Sequence, residues 1–390
     1  ERPAESPTVF LQQLGRGLRQ SEGKACLTVI DFVARPHEKF RYDRRFRALL
    51  PNRTRAELRD DIEQGFPFLP QGCSIQLERQ AQAIVIKSLK TAIASWSTLG
   101  DDLSADLTLD EFLRRSDTEL AELYRKNKSF TELRASRGFV AEFDGKMAAR
   151  LSRLLYVDDA ERLSRWKQLL SVEGGRDLAF SRMLFAALGL AQLPISEANS
   201  LPARLDPSVR GEMIELIEVL RDRLRRPTYS LDAETPLRVH ATYARDEVSA
   251  ALGLIRKGKL LRTQAGVYRS VEHRADLLFV TLEKDETEFT PSTLYNDYVM
   301  SPRRSHWESQ SVTRADSETG RRYVSPPVGW RILLFVRERR RDSRGLTMPY
   351  LLLGPVRCAS VSSERPMQIV WELDRAMPDA WYGRTKMAAG

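Results

Sequence analysis

The sequence of 390 residues lacks any run of 18 or more apolar residues, so no membrane-spanning helix is expected. It has little cysteine. Cys26, Cys73 and Cys358 lie far apart, with no CxxC pair and no neighbouring histidine, which argues against a disulfide framework or a zinc site and fits a reducing cytoplasm. Histidine is nearly as scarce, with four in the chain; His240 and His306 therefore read as structural or hydrogen-bonding groups, and no metal is expected. Neither a G-x-x-x-x-G-K-[ST] loop nor an acidic helicase box occurs. Without that backbone cradle and its magnesium ligands, the chain alone is expected to hold no nucleotide cofactor and to hydrolyse no ATP. The opening residues, Glu1 to Pro7, have no initiator methionine and no apolar signal core, so the chain is expected to be a piece of something longer.

What is present is the composition of a globular protein, 42% hydrophobic and 29% charged, with a formal net charge of +9. The positive excess sits towards both ends and the middle is near neutral. A polyanionic partner is the class that this distribution favours.

Three textures follow one another, an overall α+β pattern. Residues 1–50 contain a helical stretch, Thr8 to about Gln20, and then a buried strand, Lys24 to Val33, an α/β signature. Residues 51–225 have helical spacing almost throughout, as in Leu163-Trp166-Leu169-Leu170 and Met213-Ile214-Leu216-Ile217-Val219-Leu220, with Gly-Pro and Gly-Gly breaks. Residues 226–390, after Arg225-Arg226-Pro227, turn to strands: Leu237 to Tyr243, Asp276 to Leu282, Arg331 to Val336, Tyr350 to Leu353 and Met367 to Leu373. One amphipathic helix, Arg245 to about Arg256, interrupts them. Arg337 to Pro349 has the look of a long hairpin connection. A small, mostly β barrel or curled sheet is expected there.

Two groups of residues carry candidate chemistry. In Gln12-Gln13-Leu14-Gly15-Arg16-Gly17-Leu18-Arg19, helical spacing puts Gln12, Arg16 and Arg19 on one face, where two guanidiniums could meet a triphosphate. Between the strands ending at Leu282 and starting at Arg331 lies a mixture of aromatics, hydroxyls, amides and arginine pairs with neither helical nor strand period. A base taken out of a duplex needs flat rings and hydrogen-bonding groups for its edge. Tyr295, Tyr298, Trp307 and Tyr323 could supply the rings, Asp297, Ser309 and Gln310 the edge contacts, and Arg303, Arg304, Arg321 and Arg322 the phosphate contacts. The same rings could equally be core, and Asp297 could cap a turn.

Gln12 to Arg19 and the strand after it resemble motif VI and the closing strand of the second RecA-like domain of superfamily 2 helicases. The resemblance implies that Arg16 and Arg19 face ATP and magnesium held by a missing motor half, with Gln12 nearby. The run from Pro236 to Leu373, through Ser292–Tyr298, His306-Trp307-Glu308-Ser309-Gln310, Gly320-x-x-Tyr323 and Trp371-Glu372-Leu373, resembles the domain that trails a subset of bacterial superfamily 2 helicases and is similar to SRA and PUA-like readers. The resemblance implies a helical coupler between motor and reader. It also implies recognition of 5-methyl or 5-hydroxymethyl cytosine in double-stranded DNA by base flipping, as in helicase-containing Type IV restriction enzymes acting against foreign DNA. RNA binding and protein binding remain the other two classes open to such a domain.

Overall fold

In a computed structural model, the structure describes residues 103–383 except 117, 172–176, 225, 264, 284–296, 312, 343–344 and 380, with a few isolated positions between 62 and 99. Gln12, Arg16 and Arg19 fall outside the described residues, as does the expected α/β segment around them. Asp102–Gly390 forms one compact unit, and the expected joint at 225–226 lies inside it. Among the described residues no helix is long and apolar enough to cross a membrane.

The first half of this unit is helical. Its helices are α1 (Leu109–Ser116), α2 (Leu120–Leu123), α3 (Phe130–Ser136), α4 (Gly145–Ala148), α5 (Ala160–Leu170), α6 (Leu178–Ala187), α7 (Ile195–Arg204) and α8 (Pro207–Asp222), with a 3₁₀ segment at Leu151–Tyr156. Side-chain caps set the starts: Ser129, Asp144, Asp159, Asp177 and Asp206 each accept from a backbone N–H in the first turn. The apolar stripes read from the sequence face inward, with Leu163 and Trp166 of α5 and Met213, Leu216 and Ile217 of α8 buried. Glu212 of α8 is buried among them. It accepts from the Tyr124 hydroxyl (2.7 Å) and from the backbone N–H groups of Phe130 (2.7 Å) and Thr131 (2.8 Å), pinning the start of α3.

The second half is an eight-stranded mixed sheet with α9 (Arg245–Ala251) and α10 (Glu318–Val324). The main path runs β6 (Val267–Ser270), β7 (Ala275–Thr281), β10 (Arg331–Arg337), β11 (Tyr350–Ser362), β12 (Gln368–Leu373), β9 (Arg304–Glu308) and β8 (Tyr298–Ser301), and β3 (Thr242–Tyr243) joins β11. Two short hairpins lie apart, β1 (Tyr229–Ser230) with β2 (Arg238–Val239) and β4 (Ile255–Arg256) with β5 (Lys259–Leu260). The path ends at β6 and β8, so the sheet is open where a barrel was expected. Among the described residues only β7 and β10 pair in parallel. Both are buried on both faces, which is why they read as unbroken apolar runs rather than alternating ones.

One face of this sheet carries a core built on Trp307, Tyr323 and Trp371, whose rings meet at 5.4–6.3 Å, with Leu334, Leu353 and Ile369 around them. Gly320 in α10 is required by contact rather than by turn geometry. A Cβ there would stand 2.1 Å from the Arg314 carbonyl oxygen, so Gly320 lets the helix seat against the preceding loop and deliver Tyr323 to the core.

Candidate functional site: an arginine-lined cleft

The helical half and the sheet meet at α6 and α9, which pack side by side. Their junction is held by one buried arginine. Arg162 of α5, 1% exposed, places Nε 2.8 Å from the Asp159 carboxylate. It donates from Nη1 to Glu247 (2.7 Å) and from Nη2 to the Thr242 carbonyl (2.9 Å), and its guanidinium lies 4.5 Å from the Tyr243 ring centre. Burial pushes the Glu247 carboxyl up, and the Arg162 charge opposes that shift.

Beside this junction opens a cleft of about 810 Å³, within the size range of small-molecule sites. Its floor is aromatic. Tyr350, at the start of β11, and Phe279 of β7 meet edge to face at 5.2 Å, and Phe279 stacks on Phe335 at 4.9 Å. Two guanidiniums flank Tyr350: Arg337 at 4.3 Å and Arg245 at 5.2 Å from the ring centre. Arg245 also donates from Nε (3.2 Å) and Nη2 (3.0 Å) to the Tyr350 hydroxyl, and from Nη1 to the Ala265 carbonyl (2.8 Å). Arg337 donates to the Thr281 hydroxyl (2.9 Å). Arg153, Arg262 and Arg340 are exposed at the cleft, while Asp246, Asp297, Glu308 and Gln310 add polar edges.

Asp297, Trp307 and Gln310 of the expected set line this cleft, and the remaining described residues of that set lie elsewhere. Tyr295 lies outside the described residues. Tyr298 is half-buried and stacks face to face on His306 at 4.7 Å. Trp307 and Tyr323 are core rings, and Trp307, about as buried as the Phe279 of the floor, also reaches the cleft wall. Strand alternation on β9 turns Ser305 and Trp307 inward, and Tyr323 is carried under the sheet by α10. Ser309 is buried too, its hydroxyl accepting from Met367 N–H (2.9 Å) to register the end of β9 against β12.

Asp297 and Gln310 do line the cleft; one Asp297 oxygen accepts from Glu308 N–H (3.0 Å). Arg303, Arg304 and Arg321 are exposed, as phosphate contacts would be. Arg322 is not. It is buried and bidentate on the fully buried Asp276, at 2.7 and 3.1 Å, so it is unavailable to a nucleic acid.

Residues 237–384 match a family described as a domain of unknown function, DUF3427. No curated protein matches the chain. The DUF3427 match contains the cleft floor, Arg245, Arg262, Arg337 and Arg340, but it does not contain Arg153, Tyr156 or Gly189, which come from the helical half. The cleft arginines are not conspicuous in the sequence because they stand at the ends of strands and helices whose visible signal is their apolar residues. The nearest signal was arginine placed just after an apolar run, as at Arg337, or opening a helix, as at Arg245.

Away from the cleft, His240 introduces a pH dependence. It is buried between β2 and β3 at a positive φ of 71°, and burial, with Arg226 and Arg375 nearby, pushes its pKa down to about 4. The unfolded chain titrates near 6.5 and so binds the proton first. The contribution of His240 is therefore complete above about pH 6.5 and is lost as pH falls towards 4. Urea titrations at pH 7 and pH 4.5 should show a larger loss for the native protein than for His240→Asn, a residue that also accepts positive φ.

Proposed function

We propose that the chain is the nucleic-acid-reading end of an ATP-dependent superfamily 2 DNA helicase or translocase, and that the cleft between the helical half and the DUF3427 sheet takes a nucleotide of the bound strand. The observation that carries this reading is the cleft itself, with several arginines converging over an aromatic floor. Guanidiniums serve both phosphate oxygens and base faces, and carboxylate and amide groups at the margin suit a base edge. The net charge of +9 acts in the same direction. Within this reading, the extruded base is a modified cytosine. Its neighbours would be the rings and guanidiniums around Tyr350 and the polar groups of Asp297 and Gln310, rather than a Trp307–Tyr323 cage.

Anisotropy titrations of the full chain with methylated, hydroxymethylated and plain duplexes, and with single-stranded RNA, test it. A buried methyl group contributes on the order of 1 kcal/mol, so a preference of up to roughly tenfold for a modified duplex is expected. Equal affinity for the three duplexes removes the modified-base reading. Stronger binding to RNA moves the function to RNA, and affinity that ignores salt moves it to a protein partner.

A further inference from the structure

We propose that Arg153, Arg245 and Arg262, gathered around Asp246 at one side of the cleft, form a phosphodiester subsite that is complete only when the helical half and the matched domain are both present. This deepens the nucleic-acid reading above and rests on it. The three arginines come from separate elements: the 3₁₀ segment Leu151–Tyr156, the first residue of α9, and the chain just after β5. All three line the cleft with Asp246.

Elsewhere at this junction, arginines face at least one carboxylate each. Arg162 faces Asp159 and Glu247, Arg226 pairs with Asp158, and Arg238 pairs with Glu161. Here three guanidiniums share one carboxylate, with Arg262 Nε 3.5 Å from Asp246. The local charge is therefore about +2, and it faces a cavity instead of a partner side chain.

The three arginines differ in what they have left to give. Arg245 has most of its N–H groups committed to Tyr350, Thr263 and Ala265, so it contributes field and a fixed wall. Arg153 and Arg262 are exposed and supply the donors. Arg153 is also positioned by an absence. Its guanidinium carbon would lie 2.9 Å from a Cβ at Gly189, where φ is +72°, so the glycine that ends α6 leaves the space that the guanidinium fills. Where its guanidinium packs against Gly189, partial desolvation and the neighbouring Arg150 push the Arg153 pKa down although the side chain reaches solvent, the direction relieved by an incoming anion.

The test is the salt dependence of binding of the full chain to a duplex oligonucleotide. Each phosphate contact contributes about 0.9 to the slope of log K against log salt. Arg153→Gln and Arg262→Gln should each weaken binding several-fold and reduce the slope by about one, and the double variant by about two, with melting unchanged because both side chains are exposed. Arg357→Gln, on the outer reach of β11 against Glu372, should keep the native slope. Native binding with an unchanged slope in the double variant, or an equal loss in Arg357→Gln, would overturn the subsite while leaving nucleic-acid binding intact. Absence of native binding at any salt would remove the reading under Proposed function and the subsite with it.

Discussion

Arg162→Ala will destabilise the unit formed by residues 102–390 by about 3–5 kcal/mol, the cost of leaving buried carboxylates without their counter-charge. Asp159 is 1% exposed and Glu247 is 5% exposed, and Arg162 is the cation placed on both. A melting point lower by on the order of 10 °C is expected. Arg162→Lys should recover little, because an ammonium has no planar fork to reach Asp159, Glu247 and the Thr242 carbonyl together. The deficit has a pH signature. Glu247 already has a raised pKa, and removing Arg162 raises it further, so the folded variant takes up a proton that the unfolded chain still lacks. Its stability relative to the native protein therefore improves as pH falls through that range. Adding Glu247→Gln should recover part of the loss near neutral pH. If Arg162→Ala melts within 2 °C of the native protein, the junction between the two halves is held by something else.

The second large effect falls on Arg322, and a comparison with its neighbour separates structure from binding. Asp276, the second residue of the interior strand β7, has no exposed surface, and its carboxylate is met by Arg322 from Nε and Nη2 and by the Trp330 indole N–H at 2.8 Å. Arg322→Ala leaves Trp330 as the remaining partner among these and should also cost about 3–5 kcal/mol. Arg321→Ala, one residue away and exposed, should change stability by less than about 0.5 kcal/mol. Urea midpoints for the two variants check the contrast. A stable Arg322→Ala that has lost affinity for DNA would restore Arg322 to the binding surface.

These two residues also mark where the sequence was and was not legible. Helices α5 and α8 and strands β7, β10 and β12 were visible because burial leaves a periodic or continuous apolar trace. The segment from Tyr298 to Tyr323 seemed irregular because its inward positions are partly polar. On β9 the inward residues are Ser305 and Trp307, and on α10 the buried set is Gly320, Arg322 and Tyr323. A serine, a glycine and a paired arginine carry no hydrophobic signal, so two strands and a helix passed for a recognition loop.

Part of the site was legible for the same reason that part was not. Asp297 and Gln310 were found because they stand among conspicuous aromatics, and both line the cleft. The arginines over Tyr350 come from positions as far apart as Arg153 and Arg340, and only the folded chain brings them to one place.

The parallel pairing of β7 with β10 bears on how this protein can be cut. The two strands lie inside the sheet, between β6 and β11, yet bonded positions such as Thr281 and Arg337 stand 56 residues apart in the chain. Such a distant closure is slow to form. A proteolytic product or expression fragment that stops short of Arg331 would carry β7, with its apolar run Leu277–Val280, as a strand with one bare edge, a template for sticking to its own kind. Soluble truncations should therefore either retain β12 or end before β6.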